Sequence, residues 1–314
     1  MSEARLRCAR RALGAFGEEV SALGLGLGPL AKRGDASDWD ATVGAALDAG
    51  ITSIDAAAGP LRHESESKLG EILTGRRDGL FLSTRSGARE PTGETNHSSS
   101  GTKRAQTRAS AVRASLEDSL KRLRTDRIDL YHVHDPSDAD PGLLFEETLP
   151  ALVEARERGD IRYVGVSTHD LTLLVEALHA FPLDAILCYG KLDLLDHSLA
   201  RDVLPEAQSL GVAVVNASPF HGGRLSTNTS QSLIPAEHGA LAPLLTSAIE
   251  QGADLTQAAL QFAASFEGVS TTVVGMATPR EIERVVRDFA RAPSGSERTL
   301  VEGVLASAPR AQGE

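Results

Sequence analysis

Short apolar runs alternate along the chain with longer segments of helical period. The runs lie near residues 24, 53, 81, 130, 164, 186, 214 and 273. The clearest helical period spans 107–123, where Val112, Leu116 and Leu120 share one face. Further helices are predicted over 38–50, 65–74, 147–158, 170–180, 198–210, 238–251, 255–267 and 278–290. Alternating strands and helices indicate a parallel α/β sheet, and eight such units predict a closed (β/α)8 TIM barrel.

The first residues predict a separate element. Residues 11–26 contain two strand-like runs around a glycine turn, which indicates an N-terminal β-hairpin. An open, doubly wound sheet is the main competing architecture, but GLGLGPL at 24–30 lacks the third glycine and the helix of a dinucleotide-binding turn. We therefore predict a single TIM-barrel domain over residues 1–314, ending in a polar C-terminal tail at 291–314.

Charge and cysteine content narrow the class of partner. The chain has 32 Lys and Arg against 43 Asp and Glu, a net charge of −11, which argues against nucleic acid or an anionic membrane as partner. Its N-terminus has no apolar core of the kind found in signal peptides, and no apolar run is long enough to span a bilayer. Cys8 and Cys188 form neither a disulfide framework nor a zinc-binding spacing. We expect a cytoplasmic protein with a small-molecule substrate, either monomer or homodimer.

Polar and ionisable residues stand where the predicted strands end. Active sites of (β/α)8 barrels lie at the carboxyl ends of the strands. His132 and His134 are two apart on one strand and so face the same side, but no cluster of carboxylates or cysteines completes a metal shell, and no metal is expected. Two polar loops, 86–107 and 221–235, are expected beside the site. The strand-end residues are Asp55, Arg85, His134, Ser167, Tyr189, Asn216 and Gly275.

Several motifs occur in the order and spacing of one enzyme family. Over about residues 10–290 the chain resembles the aldo-keto reductases, and around LLDHSLARDVLPEAQSLGVAVVNASPF it is similar to their sugar-oxidising branch, the fucose and galactose dehydrogenases. The motifs are LGLGLGPL, AALDAGITSID, ESESKLGEIL, FLSTR, LEDSLKRLRTDRIDLYHVHDP, GDIRYVGVST, GVAVVNASPF and TTVVGMATPREIE.

The resemblance implies hydride transfer from NADPH to a carbonyl, with an Asp, a Tyr, a Lys and a His in the site. The Asp is Asp55 and the His is His134, but Arg85 stands at the Lys position. The Tyr position falls at Gly59 or Pro60. The general acid of the family is therefore missing from its usual place.

His134 and His63 are the candidates to replace that acid. General acid catalysis is typically worth about 10²- to 10⁴-fold, so reduction without a substitute should be badly impaired. His63 lies in the loop that lost the Tyr. Tyr189 is two residues after Leu187 on the same predicted strand, so both face the same side and Tyr189 can reach the mouth of the site. Arg85 stays charged and suits a pair with Asp55, but it cannot reproduce a compact ammonium beside a phenol.

The cofactor side of the resemblance is altered as well. The family pattern gives NADP(H) as the cofactor and places its contacts at Ser167, Thr168, Asn216, Ser218, Gly275 and Arg280. Thr168 replaces an Asn, Leu187 takes the place of a Gln, and Ala217 stands where an aromatic residue usually stacks on nicotinamide. Val285 replaces another Asn near the adenine end. We expect NADP(H) to be held weakly, differently or not at all.

Three functions follow from these observations. The leading hypothesis is redox-neutral proton transfer by a lyase, dehydratase or isomerase, with Arg85 binding an anionic oxygen and His134 moving a proton. The alternative is a divergent NADP-dependent oxidoreductase that reduces a carbonyl or oxidises a sugar. A non-catalytic binding protein is the third, and the retained ionisable cluster counts against it.

Overall fold

Eight parallel strands close into a barrel in the computed structural model of the protein, which describes residues 7–57, 59–86, 108–136, 141–226, 241–293 and 295–307. Around the barrel the order is β10, β3, β4, β5, β6, β7, β8 and β9, and β9 pairs with β10 to close the ring. The predicted TIM barrel is confirmed. The barrel strands are β3 Leu23–Gly26, β4 Ser53–Asp55, β5 Phe81–Arg85, β6 Ile128–His134, β7 Ile161–Ser167, β8 Ala185–Tyr189, β9 Ala213–Ala217 and β10 Thr271–Gly275.

The N-terminal hairpin is also present and closes one end of the barrel. Strands β1 Arg10–Ala12 and β2 Glu19–Ser21 pair antiparallel. From this hairpin Leu13 and Val20 pack with the first inward residues of the barrel, such as Phe81, in one apolar cluster. The hairpin therefore fills the amino end of the barrel and leaves the carboxyl ends of the strands open.

Helices lie outside the barrel and bury their apolar faces against it, as the helical periods predict. The predicted helix 198–210 is divided at Val203, since Pro205 opens a new helix there. A π-helical turn, Leu144–Thr148, joins the short segment Pro141–Leu143 to α5. The helices are α1 Gly28–Arg33, α2 Ala36–Asp48, α3 Arg62–Ile72, α4 Ala109–Leu123, α5 Leu149–Arg158, α6 Leu171–Ala180, α7 Ser198–Asp202, α8 Leu204–Ser209, α9 Ala242–Glu250, α10 Leu255–Ala264, α11 Pro279–Ala290 and α12 Gly295–Ser307.

The last helix corrects the expectation of a polar tail. Within 291–314, the segment Gly295–Ser307 forms α12. Its Leu300, Val301 and Val304 are buried and belong to the core shared by the outer helices. A substantial part of the supposed tail is thus a packed element of the barrel shell.

Strand register gathers the site residues at one end. Asp55 lies opposite Ser83 where β4 and β5 pair. Residues two or four apart on a strand face the same side. Leu130 faces the barrel interior, so His134 on the same strand faces inward as well. Leu187 also faces the interior, and it places Tyr189 inward in the same way. This open end of the barrel holds the candidate site.

Candidate active site

A buried ion pair lies at the ends of β4 and β5. Arg85 Nη2 donates to Asp55 Oδ2, and Ser83 Oγ donates to Asp55 Oδ1 over 2.6 Å. The two charged side chains are only 6% and 9% exposed. Because both charges are largely removed from water, each depends on the other for compensation. Arg85 is thereby held as a fixed cation at the strand ends.

A second buried guanidinium supports the backbone of Arg85. Arg62 of α3 is 1% exposed, and its Nη1 donates to Arg85 O over 2.6 Å and to Ser115 Oγ over 2.8 Å. The hydroxyl of Tyr131 donates to the same Ser115 Oγ over 3.1 Å. Arg62 therefore links α3 and α4 to the end of β5. In the sequence it stands in a run of charged residues, and no local signal separates it from a solvated arginine.

His134 has a largely buried imidazole that borders a pocket. Its side chain is 16% exposed, and Nε2 lies 3.5 Å from Asp135 Oδ2. Burial lowers the pKa of His134 below its usual 6.5, and the charge of Arg85 lowers it further, while Asp135 and Asp55 act in the opposite direction. The imidazole is therefore mainly unprotonated at neutral pH and ready to accept a proton.

His132 lies deeper in the same strand and is completely buried. A Cβ on Gly165 would come within 2.5 Å of His132 Nδ1, so this glycine makes room for the ring. Burial, followed by the charges of Arg85 and His134, holds the pKa of His132 well below its usual value. Among the described residues neither ring nitrogen has a hydrogen-bond partner. His132 is thus a neutral interior side chain.

A pocket of about 410 Å³ opens above these groups. Asp55, Arg85, His134 and Tyr189 line one side. A larger groove of about 850 Å³ continues outward and shares Gly28, Pro29, Ser218 and Gly275 with the pocket. The groove is bordered by Lys32, Arg33 and Arg284 and also by Glu281, whose carboxylate lies 3.8 Å from Arg33. Pocket and groove together offer space for an elongated ligand.

Tyr189 is held in a cluster at the mouth of the pocket. Its hydroxyl lies 2.8 Å from both carboxylate oxygens of Asp135 and 2.9 Å from His169 Nδ1. Burial and the neighbouring Asp135 carboxylate raise the pKa of Tyr189 well above its usual 10. Asp135 adopts a left-handed φ of 42°, a conformation uncommon for residues other than glycine. Asp135 belongs to the motif HVHDP, but the predicted site residues include neither Asp135 nor His169.

The other tyrosines stand apart from the pocket. Tyr131 is buried behind the barrel wall against Ser115, and Tyr163 packs on Phe81 at the amino end of the barrel. At the family's usual tyrosine position, Gly59 begins a 3-10 turn with a φ of 62°. Of the chain's three tyrosines, only Tyr189 lines the pocket.

Two of the predicted cofactor contacts line the cavities, and one faces elsewhere. Ser218 and Gly275 border both pocket and groove. Asn216 is buried, and its Nδ2 donates to Leu192 O over 3.2 Å. Its neighbour Ala217, rather than Asn216, lines the pocket. Asn216 thus fixes the loop after β8.

Three further predicted contacts lie around this region. Ser167 ends β7 opposite His134 and is buried, with no hydrogen-bond partner for its Oγ among the described residues. Thr168 is buried beside it. Arg280 is exposed on α11 and does not border the two cavities. The assignment of these residues to the cofactor stays a prediction.

His63 and His221 differ in their surroundings. His63 of α3 has Nε2 3.4 Å from Arg62 Nη2 and is not a lining residue of the pocket, so its role as a substitute acid stays a prediction. His221 begins the predicted polar loop 221–235, and its side chain is largely buried. Its Nδ1 lies 2.9 Å from Asp193 Oδ2, with side chains 15% and 0% exposed. This contact ties the loops after β8 and β9 beside the groove, because Phe220 and Gly222 border it.

Some expectations fall outside the described residues. The predicted loop 86–107 lies there from residue 87, and the loop 221–235 from residue 227. Across the described part of the chain, no group of three His, Cys, Asp or Glu side chains is arranged to hold a metal ion. No helix in that part has the length and apolar character needed to cross a bilayer.

We expect the free energy of unfolding to decrease as the pH falls below about 6.5. The native pKa values of His132 and His134 are lowered, so the unfolded chain binds protons that the native state does not. Each such histidine contributes up to about 1.4 kcal/mol per pH unit between its unfolded and native pKa values. Denaturant titrations from about pH 7.5 to about pH 5.5 measure this slope, and His134→Gln should reduce it. A flat profile would contradict the assigned neutrality of both rings.

In (β/α)8-barrel enzymes the active site lies at the carboxyl ends of the strands, which is where this chain gathers its ionisable groups. The model of the Aldo/keto reductase family matches residues 22–302. The chain belongs to the aldo/keto reductase family, whose members typically bind NAD(P)(H). The resemblance found in the sequence motifs is confirmed.

Curated relatives extend over most of the chain. L-galactose dehydrogenase of Arabidopsis thaliana is 30% identical, with 88% of this chain and 86% of the relative covered. D-threo-aldose 1-dehydrogenase of a Pseudomonas species is 31% identical, with coverage of 95% and 98%. Pyridoxal 4-dehydrogenase of Microbacterium luteolum is 30% identical, with coverage of 88% and 92%. Among solved structures, the holo form of aldo-keto reductase AKR11C1 from Bacillus halodurans superposes with a TM-score of 0.79 at 26% identity, with coverage of 95% and 96%.

Proposed function

We propose that the protein is a nicotinamide-dependent dehydrogenase that oxidises a hydroxyl or hemiacetal carbon of a small, sugar-like molecule. The observation that carries the proposal is the neutral His134 in one pocket with the fixed cation Arg85. Oxidation of a hydroxyl requires a base for its proton and positive charge near its oxygen. Three relatives are named as dehydrogenases, and two of those names specify a sugar or aldose.

The cavities fit a dinucleotide cofactor. Bound there, the cofactor would accept the hydride that leaves the substrate carbon. Gly28 leaves part of the wall without a side chain, so a flat ring can approach the backbone there. A Cβ on Gly28 would meet no atom within 4 Å, which shows open space above it. Lys32 and Arg33 lie along the groove where phosphate groups would pass.

His134 and Arg85 divide the chemistry of the substrate hydroxyl. His134 Nε2 accepts the proton from the hydroxyl oxygen, and the Arg85 charge stabilises the negative charge that develops there. Asp55 keeps the guanidinium in place through its buried pair. A hemiacetal hydroxyl is more acidic than that of a simple alcohol, so an imidazole suffices as base. This substrate class therefore tolerates the loss of the family's tyrosine.

Redox-neutral proton transfer, the leading hypothesis from the sequence, has less support than its alternative. The same base and cation would serve an enolising enzyme, but the curated relatives above carry dehydrogenase names. The groove beside the pocket would also have no use in a reaction that needs only a small substrate. Cofactor binding separates the two functions.

We expect the protein to bind NAD(H) or NADP(H) and Gly28→Leu to weaken that binding about tenfold or more, because overpacking costs about 1–3 kcal/mol. Gly44→Leu is the matched control, since a Cβ at Gly44 also meets nothing within 4 Å but lies on α2, away from both cavities. Calorimetric or fluorescence titration measures the binding. Aldoses and pyridoxal-like alcohols are then screened for formation of reduced nicotinamide.

Two results would contradict the dehydrogenase. One is the absence of binding by either nucleotide up to millimolar concentration. The other is binding that Gly28→Leu and Gly44→Leu affect equally, which would place the nucleotide outside the groove. In either case lyase, dehydratase and isomerase substrates become the next to test.

A further inference from the structure

We propose that Asp135, Tyr189 and His169 form a path that carries the proton from His134 to solvent; this rests on the dehydrogenase function proposed above. The path begins in the pocket, where His134 Nε2 lies 3.5 Å from Asp135 Oδ2. The Tyr189 hydroxyl follows, 2.8 Å from the same carboxylate. His169 Nδ1 lies 2.9 Å beyond it. The His169 side chain is 59% exposed, so the last group of the path meets water.

The surroundings of His134 favour such a path. Burial disfavours a charged imidazole there, and the charge of Arg85 from β5 adds to that effect. Asp55 of β4 favours the charge but is already paired with Arg85. Within the described residues, Asp135 has the only carboxylate within 4.0 Å of a His134 ring nitrogen. A proton taken from substrate is therefore held unfavourably on His134, and its nearest acceptor is Asp135.

The backbone supports a specific role for Asp135. Its left-handed φ of 42° is sterically costly for a residue with a Cβ, and its amide donates to Ser167 O over 2.8 Å. Outliers of this kind persist where the surrounding structure holds them and often lie at functional sites. Here the conformation brings the carboxylate between His134 and Tyr189.

The proton count along the path balances. The substrate O–H bond breaks as an N–H bond forms at His134 Nε2. That N–H bond then breaks as an O–H bond forms on Asp135. The Tyr189 hydroxyl, which donates to Asp135 at rest, turns toward His169 Nδ1, the acceptor in one tautomer. The Asp135 proton then passes to the Tyr189 oxygen while the original Tyr189 proton passes to His169 Nδ1. His169 releases its Nε2 proton to water, and proton exchange with water restores its starting tautomer. Tyr189 remains a neutral phenol before and after transfer.

The kinetic test compares variants along the path with matched controls. Asp135→Asn and Tyr189→Phe are expected to lower kcat for oxidation about tenfold or more at low buffer concentration, within the range of positioned proton transfers. His169→Asn should have a smaller effect of the same kind. The controls are Tyr163→Phe at the amino end of the barrel and His179→Asn on α6, whose side chain is 61% exposed. Added imidazole buffer should restore kcat in the path variants and leave kcat of the controls unchanged. A purely structural defect would not be rescued by the buffer.

A second readout needs neither substrate nor cofactor. NMR titration of His134 in the free protein should show a lower pKa in Asp135→Asn, because the carboxylate that favours the imidazolium is gone. Tyr189→Phe should raise that pKa, since Asp135 no longer accepts the phenol proton. Asn adopts left-handed backbone more readily than most residues, so Asp135→Asn suits the native φ.

Failure of the path and failure of the dehydrogenase give different results. An active wild type whose rate is unaffected by Tyr189→Phe and His169→Asn would overturn the path and mean that protons leave directly from Asp135, which is 34% exposed. Wild-type protein that neither binds nor reduces nicotinamide would overturn the dehydrogenase. In that event the NMR titration still tests the link between His134, Asp135 and Tyr189. A His134 pKa that neither Asp135→Asn nor Tyr189→Phe changes would exclude the path.

Discussion

Replacing His134 with glutamine is expected to lower kcat for oxidation by about 10²- to 10⁴-fold, the usual contribution of a positioned general base. Glutamine retains polarity and size but cannot accept the substrate proton. The imidazole is mainly neutral in the native state at neutral pH, so the substitution removes no buried charge. Steady-state kinetics together with thermal melts measure the effect, and His179→Gln on the exposed face of α6 serves as the control.

The pH dependence of the oxidation rate tests the same role of His134. Oxidation by wild type should rise as the pH increases through the lowered pKa of His134, and level off above it, because only the unprotonated ring is a base. The residual activity of His134→Gln should lack this limb. An unchanged rate, or an unchanged limb in the variant, would mean that another group accepts the proton.

Asp55→Asn is expected to lower the free energy of unfolding by about 3–5 kcal/mol, the cost of leaving a buried partner charge unpaired. Arg85 is 6% exposed and would remain charged beside a neutral amide. Ser83 can still donate to the retained carbonyl oxygen, so the loss reports chiefly the ion pair. Turnover should fall as well, because Arg85 loses the group that holds it in the pocket.

A double-mutant cycle isolates the pair. The double variant Asp55→Asn/Arg85→Met removes both charges. Its loss in free energy of unfolding should be smaller than the sum of the losses in the two single variants. Glu154→Gln removes a partner of Arg113 in a surface pair whose side chains are 41% and 55% exposed, and the expected loss there is within about 1 kcal/mol. Equal losses in the buried and surface pairs, or strict additivity in the cycle, would contradict the role assigned to Asp55.

Periodicity predicted the barrel because each strand and helix has its own local signature. Eight apolar runs with intervening helical periods leave few other closed arrangements. Helix α12 was missed because its sequence, GSERTLVEGVLAS, is short and partly polar. Leu300 and Val304 become core residues only when α9 and α10 lie beside them, and those contacts depend on the finished fold.

The positions of some site residues could also be predicted, and those of others could not. Strand ends and the alternation of side chains along a strand are local properties, and they placed four residues at the open end of the barrel, Asp55, Arg85, His134 and Tyr189. Arg62, Asp135 and Asp193 could not be predicted, since their contacts involve partners from distant segments. The partners of Asp193, for example, include the His221 ring from the loop after β9.

The turn at Gly59 bears on how the family's tyrosine was lost. The backbone there has a φ of 62°, and a residue with a Cβ pays about 1–2 kcal/mol in that conformation. A mutation that restored tyrosine at this position would therefore begin with a stability penalty before any catalytic gain. The backbone at Gly59 thus opposes a return of the tyrosine at that position.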